Sequence, residues 1–355
     1  MKEEQLLDGE FLKAIKILAP GTVLREGLEN ILSARSGALI VIGDSPPVLE
    51  IVEGGFEIDV DLTPANIYEL AKMDGAIILN SEAKKVLFAN TQLIPDPANP
   101  SQETGIRHRT AERVARQTGA MVISISQRRN IITIYKGSGK YVLRDIGVIL
   151  TKANQAVQTL EKYKVVLDKA LATLSTLEFQ DLVTLYDVAK AIQRTEMVVR
   201  IVKEIKTYIV ELGTEGRLVS MQMDELIANV EDDGLLIVED YYLYEDKKPE
   251  EILQTIGQWD AEDLLDLSLI CRALGYTGSA SILDQSVSPR GYRILNKIPR
   301  LPWPVIKNLV FTFSSLQRVL NASIEELDEV EGIGEVRAKA IKEGLKRCRD
   351  QILLW

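Results

Sequence analysis

The sequence predicts an α/β N-terminal domain, a mixed sheet flanked by helices, then an all-α spine and a C-terminal helix-hairpin-helix domain. Three observations carry that expectation. Over the first 150 residues short β-branched runs alternate with amphipathic segments. Between Pro100 and Pro249 there is no proline, and leucines recur there at helical steps. Beyond Ser288 two tight breaks separate short helical patterns, and the charge changes sign. The boundaries this places are 1–150, 151–287 and 288–355.

The strands expected in order are Ala38–Ile42, Ala76–Leu79, Lys85–Ala89, Met121–Ile125 and Ile131–Tyr135, each bordered by Gly, Asp or Asn. A helix should follow Pro20-Gly21 with Thr22 as its N-cap. Another should run from about Thr110 to Thr118 and stop at Gly119, a residue suited to a left-handed C′ position. From Thr151 to Leu212 the chain reads as long helix, with Leu160, Leu167, Leu171 and Leu174 on one stripe. Thr184 and Asp187 have the spacing to cap a second long helix that ends near Gly213. Further helix is expected from Arg217 to Tyr244. The third region holds two helix pairs, broken at Pro299-Arg300-Leu301-Pro302 and at Gly332-Ile333-Gly334, a weak internal repeat.

Composition narrows the function classes. Apolar residues make up 46% of the 355 and charged ones 26%, the balance of a globular protein. No apolar run is long enough to cross a bilayer. Met1-Lys2-Glu3-Glu4-Gln5 is acidic where a secretion signal would be basic, so a cytoplasmic location is expected. Cys271 and Cys348 lie too far apart for a metal-spaced pair and read as structural thiols. Residues 288–355 carry 12 Lys and Arg against 8 acids, net +4, which leaves −14 on the rest. A basic tail on an acidic body points to separate partners, nucleic acid being the usual one for the tail.

Two motifs carry chemistry. His108, the only histidine, sits in Arg107-His108-Arg109-Thr110 directly after Gly105 and Ile106. Arginine forks match phosphate oxygens in pairs, and the free amides of a helix start favour an anion. Asp74, in Met73-Asp74-Gly75-Ala76, reads either as a turn or as a metal carboxylate. Mg²⁺ is held by one or two carboxylates together with phosphate oxygens. Gly137-Ser138-Gly139-Lys140 lacks the earlier glycine of a P-loop, and Gly332-Ile333-Gly334 lacks the third glycine of a dinucleotide fingerprint. Instead, Val330–Ile341 has the pattern of a helix-hairpin-helix. Its candidate DNA-binding residues are Gly332, Ile333, Gly334, Arg337 and Lys339, with Lys342 adding charge nearby. Contacts of that kind hold a backbone without reading sequence. Glu335 departs from the pattern, and Arg300-Leu301-Pro302 lacks both glycines.

Taken together, Asp74-Gly75-Ala76, the Arg-His-Arg-Thr run, the spine and the hairpin, in that order, resemble the DNA integrity scanning family of bacterial diadenylate cyclases. Tyr68–Lys72, Thr195-Glu196-Met197 and Arg290–Arg293 match as well. The resemblance implies condensation of two ATP into cyclic di-AMP with Mg²⁺ or Mn²⁺, by cyclase domains meeting face to face in a homo-octamer. It implies a hairpin that binds branched DNA such as Holliday junctions and down-regulates the cyclase. Asp74 would be the catalytic and metal-binding acid. Arg107, His108 and Arg109 would hold the triphosphate; Gly75, Ala76, Leu93, Gly105 and Ile106 would line the nucleotide pocket, and Thr110 and Ser126 would offer hydroxyls. The family pattern has threonine where this chain has Ile106, which predicts a weaker nucleotide contact.

Overall fold

The fold described here is that of a computed structural model, and it describes residues 9–228, 230–244, 246–278 and 282–352. It divides into two compact units: the chain up to Asn154 together with Lys206–Ser220, and Gln155–Ile205 together with the chain from Met221 on.

The first unit is built on one sheet of β1 (Ala38–Ile42), β2 (Val52–Glu53), β3 (Phe56–Asp61), β4 (Ala76–Leu79), β5 (Lys85–Leu93), β6 (Met121–Ser126), β7 (Ile131–Lys136) and β8 (Gly139–Val142). The order is β2-β5-β4-β1-β6-β7-β8, with β3 also paired to β5. β1 and β4 run parallel, Leu39 opposite Ala76, and the other pairings are antiparallel, so the sheet is mixed as expected. Helices α1 (Gly9–Ile17), α2 (Val23–Ser33), α3 (Pro46–Leu49), α4 (Pro64–Leu70) and α5 (Ile106–Thr118) accompany it. Every residue of β1 is buried, because both faces are covered. Leu24, Leu28, Ile31 and Ile67 of α2 and α4 pack with Ile40, Ile77 and Ile123. Ala111, Val114 and Ala115 of α5 pack on the other face with Leu39, Val41, Ile78 and Val122.

The local signals act as their chemistry requires. Thr22 accepts the Arg25 amide at 3.2 Å and starts α2, and Gly119 ends α5 at φ +69°. α5 begins earlier than expected, at Ile106, because Gly105 already holds the extended N-cap conformation and puts the whole basic run in the first turn. β2, β3 and β8, with α1, α3 and α4, are additions to the expected elements. β3 is mostly exposed and carries acids along its length, so it shows no apolar alternation.

The unit is completed by a distant segment. Tyr141 donates its hydroxyl to Glu211 at 2.7 Å, and the Thr214 amide donates to the Pro20 carbonyl at 3.1 Å. Burial pushes the Tyr141 phenol up, and Glu211 adds to it.

The helical region comprises α6 (Ile146–Gln180), α7 (Leu185–Leu212), α8 (Arg217–Leu226), α9 (Val230–Tyr241), α10 (Pro249–Gly257), α11 (Ala261–Leu265) and α12 (Leu267–Ala273). Leu160, Leu167 and Leu174 of the stripe are buried. Asp187 accepts both the amide and the hydroxyl of Thr184, which separates α7 from α6. The helix expected from Arg217 to Tyr244 is two, α8 and α9. The C-terminal region follows as α13 (Tyr292–Asn296), α14 (Trp303–Phe313), α15 (Leu316–Asn321), α16 (Ile324–Asp328) and α17 (Glu335–Ile352), around its own core of Ile294, Ile306, Leu309, Leu327 and Ile341.

A buried polar network roots α13. The Arg293 guanidinium pairs with Glu178, both side chains fully buried, and also donates to Ser175 at 2.9 Å. Tyr241 donates to the other oxygen of Glu178 at 2.9 Å. Asp240 accepts the amides of Gly291, Tyr292 and Arg293 at 2.7–3.0 Å and so caps α13. Burial pushes the Asp240 carboxyl up to about 7, helped by Glu178 and opposed by those three amides.

Candidate functional site

The expected nucleotide residues gather at one end of the sheet. Ala76 faces Leu39 in the parallel register, so Asp74 and Gly37 each lie two residues before that pair. Ile125 faces Ala38, so Ser126 lies at the same end. Asp74 is exposed and makes no hydrogen bond or ion pair among the described residues. Gly75 is required by both conformation and space. Its φ is +97°, and a Cβ would lie 2.8 Å from the Asn90 carbonyl carbon and the Thr91 oxygen. Ala76 is buried, and its carbonyl accepts the Thr91 hydroxyl at 3.1 Å. Leu93 is buried at the end of β5 opposite Val52. The Ser126 hydroxyl accepts the Arg129 amide at 3.2 Å.

The first turn of α5 brings the cations. Gly105 offers no side-chain cap, and the first helical bond runs from the Arg109 amide to the Gly105 carbonyl at 2.9 Å. The amides of Ile106, Arg107 and His108 thus have no carbonyl one turn back. Ile106 projects into solvent, 84% exposed. The Arg107 guanidinium lies against Gly37, where a Cβ would come within 2.1 Å of Nη1; Gly37 makes room for it. Arg109 donates from Nε to the Glu103 carbonyl at 3.2 Å and from Nη2 to the Thr104 carbonyl at 3.4 Å. Thr110 is half-buried in the same turn.

His108 turns toward the sheet. Its Nδ1 lies 3.0 Å from the Tyr135 hydroxyl, which donates to Glu103 Oε1 at 2.9 Å. Lys140 Nζ reaches the same oxygen at 2.5 Å. His108 Nε2 is buried and has no hydrogen-bond partner among the described residues. Burial holds the imidazole below its ordinary range; Lys140, Arg129 and Arg107 add to this, and Glu103 opposes them. Burial would raise the Glu103 carboxyl, but Lys140 and Tyr135 more than offset it and hold it low. Gly37, Glu103, Tyr135 and Lys140 were not among the expected site residues. Tyr135 reads as one more apolar position of β7, Gly37 stands outside any motif, and Lys140 lies in the run that lacks the earlier glycine of a P-loop.

Asp74 is an exposed carboxylate at this end of the sheet, while Glu103 is held by Tyr135 and Lys140. Among the described residues no group of three or more His, Cys, Asp and Glu side chains is arranged to hold a metal. Asp74 therefore fits an ion whose remaining ligands are phosphate oxygens and water, the habit of Mg²⁺.

The second candidate site is the hairpin between α16 and α17. Gly332 takes φ +84°, a conformation suited to glycine. Ile333 is buried in the C-terminal core, and the Gly334 carbonyl accepts the amides of Arg337 and Ala338 at 2.8 and 2.9 Å. Arg337 folds its guanidinium onto the Gly332 carbonyl, and Lys342 donates to the Leu320 carbonyl at 2.8 Å. Glu335, the departure from the pattern, pairs with Lys339 at 2.5 Å, so the two charges meet each other at an exposed surface. The earlier break repeats this backbone. Arg300 takes φ +62° where Gly332 stands, and the Pro302 carbonyl accepts Val305 and Ile306 at 3.0 and 3.2 Å. Proline has no amide, so that copy loses one donor that Gly334 keeps.

Comparison with known proteins places these regions. Residues 25–140 match the family described as DisA bacterial checkpoint controller nucleotide-binding, and residues 143–283 match the DisA bacterial checkpoint controller linker region. Residues 315–344 match the helix-hairpin-helix motif. The DNA integrity scanning protein DisA of Carboxydothermus hydrogenoformans is 66% identical over 352 residues, 99% of each chain. That of Acetivibrio thermocellus is 59% identical over 347 residues, covering 98% of this chain and 96% of its own. That of Symbiobacterium thermophilum is 61% identical over 345 residues, 97% of each. With its nucleotide-binding region, linker and hairpin all in place, the chain belongs to the DisA family of DNA integrity scanning proteins.

Proposed function

We propose that the protein is a diadenylate cyclase that condenses two ATP into cyclic di-AMP and two pyrophosphates, and that branched DNA at its hairpin lowers the turnover. The observation that carries the reading is the shared end of the sheet. An unpartnered carboxylate, Asp74, stands there with a helix start whose amides are open and whose Arg107 is seated against Gly37. Each 3′-hydroxyl attacks the α-phosphorus of the other ATP, a new P–O bond forms, the bond to the β-phosphate breaks, and the hydroxyl proton is released. Asp74 would hold Mg²⁺ or Mn²⁺, which when bound lowers the pKa of the hydroxyl and screens phosphate charge. Arg107 and Arg109 would position the triphosphate and offset charge on departing pyrophosphate. One site holds one ATP, so ring closure needs two copies face to face; an octamer of such pairs is the assembly implied by the family.

Incubating the protein with ATP and Mn²⁺ and separating the products tests this. Cyclic di-AMP should form with wild type, and Asp74→Asn should lower the rate at least about 100-fold, as expected when the group holding a catalytic metal is removed. Equal product from both would remove Asp74 from this role. No product from wild type would leave a nucleotide-binding DNA scaffold as the reading.

A further inference from the structure

The proton count along His108, Tyr135, Glu103 and Lys140 closes in only one way. The Glu103 carboxylate, paired with Lys140 at 2.5 Å, has no proton to give. Tyr135 has one, and it lies on the bond to Glu103. The Tyr135 oxygen can then only accept from the imidazole, so His108 Nδ1 must carry a hydrogen. Among the described residues Nε2 is buried without an acceptor, and an N–H there would lose its hydrogen bond to water with no protein replacement. The same Glu103 fixes Arg109 through its main-chain carbonyl. One residue on the loop before α5 thereby grips two successive side chains of the helix start, His108 and Arg109.

We propose that Glu103 is a positioning residue of the nucleotide site, acting through Tyr135 to hold His108 as the neutral Nδ1–H tautomer. His108 then ties the first turn of α5 to β7 while Arg107 and Arg109 meet phosphate. The groups facing the imidazole are Glu103 before α5, Tyr135 on β7, Lys140 on β8, Arg129 after β6 and Arg107 on α5. The inference rests on the nucleotide-site reading above and replaces a triphosphate contact with a strut as the role of His108.

The test uses the full-length chain, ¹⁵N-labelled and free of any histidine tag. It has one histidine, so one imidazole is seen. At pH 7.5 the expected spectrum has a protonated Nδ1 and a bare Nε2. Tyr135→Phe removes the acceptor, so the signal should move toward the Nε2–H form. ATP affinity should fall about fivefold, the equivalent of one ordinary hydrogen bond, with kcat within about twofold. A purely structural loss would not move the tautomer. A wild-type imidazole that is cationic or Nε2–H overturns the proposal, as does a Tyr135→Phe spectrum unchanged from wild type. A shifted tautomer with unchanged ATP affinity overturns the positioning role. The expected tautomer in wild type and the expected affinity change in Tyr135→Phe, with no cyclic product from wild type, would support the strut and refute the cyclase reaction.

Discussion

At the scale of single residues the most informative is Ile106. It stands at the first position of α5 where the family pattern has threonine, and it touches almost nothing, being 84% exposed. Replacing it therefore disturbs no packing, which makes the variant a clean probe of the ligand contact. Ile106→Thr should tighten ATP by about 1 kcal/mol, the contribution of one hydroxyl hydrogen bond, with an unchanged melting temperature. An unchanged apparent affinity in a titration would show that this position does not meet the nucleotide. Asp74 and the Arg107–Thr110 run were legible in the sequence because their residue types already name a chemistry. Glu103 and Tyr135 were not, because their meaning lies in an acceptor chain that joins β7, β8 and the loop before α5. A tyrosine in an apolar run looks like core until its hydroxyl is placed.

At the scale of elements the rooting of α13 makes a pH-dependent prediction. The Asp240 carboxyl titrates about 7 when folded, against an ordinary value of 3.8. Between those values the folded chain binds more protons than the unfolded one, so this group's contribution is full below about 4 and is lost as pH rises through 7. Unfolding midpoints of the full chain in urea should accordingly fall between pH 5 and pH 8. Asp240→Asn should flatten that slope, since an amide does not titrate. An identical slope in both proteins would assign it elsewhere. The sequence made the five central strands and both long helices legible, through β-branched runs and leucine spacing. It concealed β3, whose acids break the alternation, and the split between α8 and α9, where no proline or glycine marks the break.

At the scale of the whole molecule, a basic C-terminal region follows an acidic body, yet the hairpin is not a freely detachable module. Cutting before Ser288 would remove Arg293, the cation paired with Glu178, and the helix amides that Asp240 accepts, so the truncated chain should lose stability. Point changes are the better probe of DNA binding. Arg337→Ala with Lys339→Ala should weaken binding of a four-way junction and flatten its dependence on log salt by up to about two. DNA suppression of cyclase turnover should weaken with it. If the junction binds as before, the contact surface lies outside this hairpin.

The segment that completes the sheet unit has a consequence for biogenesis. Glu211 and Thr214 reach Tyr141 and Pro20, although Gln155–Ile205, between them in the chain, belongs to the other unit. During synthesis the sheet unit therefore waits without these contacts until the ribosome has released residues near Ser220. Its completion is tied to the birth of the two long helices, and a chain arrested within them would expose an unfinished domain.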